Sequence, residues 1–528
     1  MNAFIKALTN EQNYTRTENG AVALKSTLNA CLDAFGSLGA MRKSDETEIA
    51  RIFSLAFVED RALATKMAFY FRDIRGGQGA RRQFRVILKW LAINAPEFVT
   101  KNFDNILEFG RGDDYLCLLD TNLADQTIAW IARQLMRDIK AYKRGESVSL
   151  LAKWLPSENA SSKQTKRYAR KLIKGLNVKP AQYRKMLTTL RKYLDVTEVK
   201  MSAKRWSAID YEKVPSKAGL QYGNAFERHD EARYFGYLKA VAAGKAKINA
   251  KALYPVDIVH KVIDKYHLSR KDVMLYDAMW ENLPNVFETV GEETGICIPD
   301  VSGSMYGTPM EVAISLAMYC ADKCRGPFKG HFITFSARPT LQTVTGANIV
   351  EKVHNLERAD WEMNTNLEAV FNLILETAKR NHCDPKDMPN KLYIISDMQF
   401  DQSCRQRTRW NYDRHDYDYA EGTFMDEIER KYAAAGYAMP TIVYWNVRQS
   451  NCGMFQKTFQ GKNCCMVSGY SPSLFKAVIE GTTYVEEEVT LNDGTTTTIK
   501  RAKIDPMDMM YKTLNNERYD VIWTGVKV

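Results

Sequence analysis

Asp300-Val301-Ser302-Gly303-Ser304 places a carboxylate and two hydroxyls at alternate positions, directly after the short apolar run Gly295–Pro299. In an open α/β sheet, ligands gather where strands end at their carboxyl edge. Side chains two and four residues past Asp300 can turn back to one point if the loop is tight, and Gly303 and Gly307 permit such a loop. One carboxylate with two hydroxyls is a hard oxygen set, suited to magnesium or manganese rather than zinc. Two later segments offer further donors. Asp397 ends the apolar run Lys391–Ser396, and Thr365 precedes the helical pattern that begins at Leu367. The expected ligand set is therefore Asp300, Ser302, Ser304, Thr365 and Asp397. Taken singly, each has a plainer explanation, since either serine could cap a helix and Asp397 could cap a turn.

The elements that must position these side chains follow from periodicity. From about residue 290 short apolar strands alternate with helices: a helix from about Met310 to Lys323, a strand at Gly330–Phe335 and a helix at Leu367–Lys379. A strand at Lys391–Ser396, a helix at Phe424–Ala435, a strand at Pro440–Trp445 and a helix from about Ser473 to Ile479 complete the series. That alternation predicts a doubly wound α/β domain with a mainly parallel sheet. Asn492-Asp493-Gly494 between Thr-rich runs predicts a hairpin. Upstream, apolar residues recur at helical spacing, as with Ile49, Ile52, Phe53 and Phe57, then Leu63, Met67 and Phe71. Residues 1–290 are expected to be helical, with pairs joined by short glycine-containing loops at Gly76–Gly79 and Gly110–Gly112, as in an α-solenoid. The expected domains are 1–290, 291–481 and a hairpin and helix extension over 482–528.

With 45% of its 528 residues hydrophobic, the chain can bury two or more cores. The formal net charge of +11 favours acidic partners. The excess is local: from Ile131 to Asp210 there are 20 Lys or Arg against 6 Asp or Glu, densest at Lys163, Lys166, Arg167, Arg170, Lys171 and Lys174. Trp154, Tyr168, Tyr183, Tyr193 and Trp206 are interleaved with these cations. The ten cysteines form no CxxC pair, so zinc is not expected and the thiols are read as reduced, in a cytoplasmic protein. No apolar stretch approaches the roughly 20 residues of a membrane span. There is no GxxxxGK[ST] phosphate loop, and no nucleophile and base accompany the two aspartates, so no catalytic residues are assigned and the expectation is a non-enzyme.

The order DxSxS, then Thr, then Asp resembles the metal-ion-dependent adhesion site (MIDAS) of von Willebrand factor A domains. The helical half before it resembles the TROVE module of Ro-type RNA-binding proteins. A TROVE-like family that joins the two halves, found in plants, bacteria and phages, is more similar still. The residues that carry this resemblance are Thr17–Leu24, Phe71–Gly79, Ala152–Ser157, Tyr183–Pro215 with Met201–Trp206, Ala225–Asp230 and Gly244–Asn249. It implies HEAT-like repeats closing into a ring or arc. It also implies a divalent cation, magnesium with manganese or calcium as alternatives, and RNA held by the basic segment. Lys163, Lys166, Arg167, Arg170, Lys171, Lys174, Arg184, Lys185, Lys204 and Arg205 would meet phosphates, with exposed aromatics stacking on unpaired bases. A polar, aromatic insertion follows Asp397, and its Arg405, Arg407, Arg409, Trp410 and Arg414 are the candidate partner-binding loop over the metal. The function expected is a non-catalytic, Ro-like ribonucleoprotein component with a metal-dependent partner domain. The alternative is a metal-dependent protein–protein adaptor that binds no nucleic acid.

Overall fold

The computed structural model describes residues 12–18, 20, 22–265, 267–288, 293–335, 338–357, 366–400, 407–411, 416–419, 424–449, 453–459, 461, 463–490 and 496–525. Two compact units interleave along the chain. One comprises residues 1–48, 254–268 and 283–513, the other 49–253, 269–282 and 514–528. Chain order alone suggested cuts near 290 and 481. The difference arises because segments distant in sequence complete each other's apolar faces.

The first unit is α/β. In chain order its elements are helices α1 (Ala30–Ser37) and α2 (Pro255–Ile263), strand β1 (Gly295–Pro299), helix α3 (Thr308–Lys323), and strands β2 (His331–Ile333) and β3 (Leu341–Thr343). Helices α4 (Ile349–Glu357) and α5 (Leu367–Arg380), strand β4 (Lys391–Ser396), helix α6 (Phe424–Ala434), strands β5 (Thr441–Asn446) and β6 (Cys464–Ser468), and helix α7 (Ser473–Gly481) follow. Strands β1, β4, β5 and β6 form a parallel sheet in the order β6-β5-β4-β1. On the far side of β1, a parallel bridge between Asp300 and Phe335 brings up the antiparallel β2–β3 pair. Read across, the strand order is 3-2-1-4-5-6, and chain direction reverses its winding between β1 and β4.

These strands are buried on both faces, as their unbroken apolar runs require. Ile296, Ile298, Leu392, Ile394, Ile442 and Tyr444 pack with Val370, Phe371 and Ile374 of α5 and Ile428 and Tyr432 of α6. The alternate residues Tyr393 and Trp445 meet Phe475 of α7, with ring centroids 5.0 and 4.7 Å apart. Inside the sheet, Lys391 pairs with Glu293 at 3.0 Å with both side chains inaccessible, and the Tyr393 hydroxyl donates to Glu293 at 2.8 Å.

The amino-terminal segment departs from the all-helical expectation. Tyr14–Arg16 and Val22–Leu24 form an antiparallel pair, and Leu24 continues it to Phe455 of the α/β unit. Helix α1 lies on β6: the Ser468 hydroxyl donates to Phe35 O at 2.8 Å, and a Cβ at Gly39 would stand 2.1 Å from Ser468 O. The expected Thr-rich hairpin is present as Thr482–Thr490 paired with Thr496–Ile504, and Thr441 Oγ1 of β5 donates to Ala502 O at 2.6 Å. Its turn lies outside the described residues.

The second unit is helical. Helices Glu46–Glu59 and Arg61–Arg72 match the periodic runs read from sequence, Arg81–Asn94 follows them, and helices nearby in the chain pack on one another through to Arg270–Glu281. The glycine loop before Arg81 is a tight turn: Asp73 accepts from the Arg75 and Gly76 amides, each at 3.0 Å, and pairs with Arg518. Arg111 and Asp113 pair with each other at the start of a 3-10 helix. Among the described residues, no helix is long and apolar enough to cross a membrane.

Candidate metal centre

Asp300 leaves β1 and Asp397 leaves β4, the adjacent strands at which the winding reverses. Such a point opens a crevice between two loops that depart in opposite directions. Asp300 is fully inaccessible, and Asp397 and Ser302 are each 6% exposed. Ser396 Oγ donates to Asp300 Oδ2 at 2.5 Å, and the Ser302 amide donates to Oδ1 at 2.9 Å. The Ser302 and Ser304 hydroxyl oxygens are 3.1 Å apart. Ser302 also hydrogen-bonds to Asp300, and Ser304 to Asp397. The two carboxylates are thus joined through two hydroxyls.

The backbone accommodates this closeness at some cost. Met398, directly after Asp397, has φ +65°, a left-handed conformation that a side chain makes costly, on the order of 1–3 kcal/mol. Its amide is held by Ser396 Oγ at 3.1 Å. Gly307 closes the other loop at φ +86°, where only glycine is unstrained. Gly303 takes no such conformation, so the tightness expected of both glycines resides in Gly307.

Burial and the neighbouring Asp397 push the Asp300 carboxyl up to about 6. Asp397 is raised as well, chiefly by burial, while Arg448 opposes the shift and Glu18 reinforces it. Two buried carboxyls whose ionised forms are disfavoured, Asp300 in part by Asp397, suit a cation placed between them. Among the described residues, no three His, Cys, Asp or Glu side chains gather into one cluster. The donor set here is two carboxylates and two hydroxyls, which fits a small hard cation and not zinc. The fifth expected ligand, Thr365, lies outside the described residues. The next residue, Asn366, caps α5 by accepting from the Ala369 amide at 3.0 Å.

Three participants escaped the sequence reading. Ser396 looked like strand interior, yet it orients Asp300. Glu18 and Arg448 come from the amino-terminal segment and the loop after β5, and only the fold brings them near Asp397. Thr17 Oγ1 donates to Phe400 O at 2.7 Å, and the Glu18 amide donates to Gln399 Oε1 at 2.8 Å. Thr17 and Glu18 are thereby tied to the chain leaving the candidate ligand Asp397.

Of the candidate partner loop, Arg407, Arg409 and Trp410 lie in the strand Arg407–Asn411, which pairs with Asp416–Tyr419. Arg405 and Arg414 lie outside the described residues.

The basic candidates are in the helical unit. Lys163, Lys166, Arg167, Arg170, Lys171 and Lys174 occupy one face of the helix Lys163–Gly175, opposite the buried Ala169, Leu172 and Ile173. Arg167 and Lys171 pair with Asp120, and Arg184 pairs with Glu158 at 2.7 Å. Among the described residues, no carboxylate pairs with Lys163, Lys166, Arg170, Lys174, Lys185, Lys204 or Arg205. The interleaved aromatics divide. Tyr183 is buried, with its hydroxyl on Pro156 O, and Trp154 lies beneath Arg111, 3.8 Å from centroid to guanidinium. Trp206 stacks on the exposed His229 with ring centroids 4.4 Å apart, beside Lys204 and Arg205.

Residues 294–514 match the model of a Domain of unknown function (DUF7788), and residues 17–111 and 159–286 match that of another, DUF2828. The chain is similar to Uncharacterized protein L728 of Acanthamoeba polyphaga mimivirus, 31% identical over 503 residues, which cover 88% of this chain and 85% of the viral one. With that identity sustained across most of both lengths, the chain belongs to the family of this mimiviral protein.

Proposed function

We propose that the chain is a non-catalytic RNA-binding protein whose α/β unit is a von Willebrand factor A-type domain with a divalent-metal-dependent binding site. The observation that carries the metal half is the meeting of Asp300, Ser302, Ser304 and Asp397 at the carboxyl ends of the neighbouring parallel strands β1 and β4. Magnesium fits best, and Thr365 is the proposed fifth ligand. The ion would supply a Lewis-acidic coordination position for an anionic oxygen of a partner, because magnesium seldom gives up all its waters to protein groups.

RNA is favoured by the cationic face of the helix Lys163–Gly175, much of it without carboxylate partners among the described residues. Such a surface neutralises phosphates and releases their counterions on binding. The Trp206–His229 stack adds an aromatic platform that suits unpaired bases. A TROVE-like arrangement of HEAT-like repeats is the proposed form of the helical unit.

Filter binding of single-stranded RNA by the full chain is the test. Affinity is expected to fall steeply with salt. Replacing Lys163, Lys166, Arg170 and Lys174 by Gln should flatten the salt slope by roughly 0.7 for each phosphate no longer neutralised. Absence of RNA retention at low salt rejects the reading. The second reading, a metal-dependent protein adaptor, needs only the donor set of Asp300, Ser302, Ser304 and Asp397. It requires that Asp300→Ala abolish capture of a protein partner in a fraction that contains no nucleic acid.

A further inference from the structure

A cavity of about 230 Å³ opens in the α/β unit beside the metal loop. Its walls come from four separate segments. Arg42, Lys43 and Ser44 follow α1, Tyr306 and Pro309 belong to the Asp300 loop and the start of α3, Arg448 and Gln449 follow β5, and Tyr470 follows β6. The last three loops leave the carboxyl edge of the sheet, as the two aspartates do.

The lining is cationic. The Arg42 guanidinium lies over the Tyr470 ring, 4.1 Å from its centroid. Tyr470 stands in the field of both Arg42 and Arg448, and Arg448 in turn acts on Asp397. Of this wall, Arg448 thus also acts on the candidate ligand Asp397. Asp257 of α2 faces Arg42 and offsets part of its charge. Among the described residues, no carboxylate forms an ion pair with Lys43 or Arg448. The walls are held from behind. Ser44 Oγ donates to Gln449 O at 2.5 Å, Asn446 Nδ2 donates to Gln449 Oε1 at 2.6 Å, and the Arg448 amide donates to Asn446 Oδ1 at 3.1 Å. A site whose walls are already fixed loses little freedom when an anion enters.

We propose that this cavity is the anion subsite of the metal centre and takes a phosphate monoester, one oxygen on the cation and the others on Lys43, Arg448 and Arg42. The proposal rests on the metal reading of Asp300 and Asp397. A doubly charged monoester matches this set of cations better than a single carboxylate does. The volume lies below the roughly 300–1,000 Å³ of a typical small-molecule pocket, which suits a phosphate with its sugar rather than a whole ligand. Tyr306, 85% exposed, and Tyr470 offer aromatic surface for the group that carries the phosphate. A nucleoside 5′-monophosphate, free or at the end of an RNA, has this chemistry.

The test compares binding of the full chain, with magnesium, to one labelled single-stranded RNA carrying either a 5′-phosphate or a 5′-hydroxyl, and separately to AMP by calorimetry. The 5′-phosphate is expected to tighten RNA binding by about tenfold, the effect of one or two charge-assisted hydrogen bonds. The double variant K43Q/R448Q should bring the two RNAs to equal affinity, as should EDTA, while R448K keeps part of the preference. AMP that binds while the two RNAs remain equal identifies the free nucleotide as the source of the phosphate. Equal RNA affinities with no AMP binding overturn the proposal, as does a phosphate preference that persists in EDTA. A magnesium-induced rise in Tm, measured alone, tells the failures apart: if the rise is present without phosphate selectivity, only the subsite fails, and if it is absent, the metal reading fails.

Discussion

At the scale of single residues, the chemistry of the site is a buried pair of like charges. Asp300 ionises near 6 where an exposed aspartate does so near 4, because it is desolvated and faces Asp397. Between those values the folded chain holds a proton that the unfolded chain has released. Stability of the metal-free protein therefore falls as pH rises through that window and levels off above about 6. Magnesium bound as proposed would displace the same proton, so its stabilising effect would have the opposite sign and grow through the same window. The Tm shift on adding magnesium should be small near about pH 5 and maximal above about pH 6, as differential scanning fluorimetry would measure. Asp300→Asn should remove the shift and leave the metal-free protein at about pH 7.5 no less stable than wild type, since the unfavourable buried charge is gone. A magnesium shift that persists in Asp300→Asn would place the ion elsewhere. Elsewhere in the unit, the Glu293 carboxylate neutralises the inaccessible Lys391. Glu293→Ala strands that lysine and should cost about 3–5 kcal/mol in urea unfolding.

At the scale of elements, periodicity made the scaffold readable and left its partners hidden. Strand β4 and helix α5 could be placed almost to the residue because an apolar run buried on both faces and an amphipathic stripe are local patterns. Strand β6 was missed. Cys464-Cys465-Met466-Val467 is short, and its pairing with β5 is a tertiary fact. Helix α1 was missed as part of this unit for the same reason: nothing in Ala30–Ser37 says that it will lie on β6. That packing tolerates no side chain at Gly39, whose Cβ would meet the Ser468 carbonyl. Gly39→Ala should cost about 1–3 kcal/mol by overpacking, read as a lower urea midpoint with unchanged slope. An unchanged midpoint would mean that α1 does not seat on β6. In the helical unit, the cationic face of Lys163–Gly175 was visible as residues spaced three and four apart, whereas the pairing of Arg167 and Lys171 with Asp120 was not.

At the scale of the whole molecule, the chain closes each unit with a piece from its opposite end. Residues 514–528 complete the helical unit. Arg518 makes two hydrogen bonds to the buried Asp73, at 2.5 and 2.8 Å, Tyr519 stacks on Phe109, and Trp523 meets Phe98 edge to face at 5.0 Å. Deleting 514–528 should expose Phe98 and Phe109, leave Asp73 without its cation, and destabilise that unit by several kcal/mol. Amide exchange over residues 61–109 should then rise, while the magnesium shift of the α/β unit is retained. Unchanged exchange would show that the closing segment is dispensable.

From the sequence alone one could read the α/β alternation, the helical half, the Asp300 loop and the strand end that carries Asp397, because each is written in residues that are neighbours along the chain. The tertiary structure alone decided which strands flank β1, and hence that the two aspartates share a crevice. It also decided that Glu18 and Arg448 come near Asp397 and that Arg42, Arg448 and Tyr470 wall one cavity. Glu18 and Arg42 lie about 400 residues from Arg448 and Tyr470, and only the burial of complementary apolar faces, a property of surfaces and not of local spacing, brings them together.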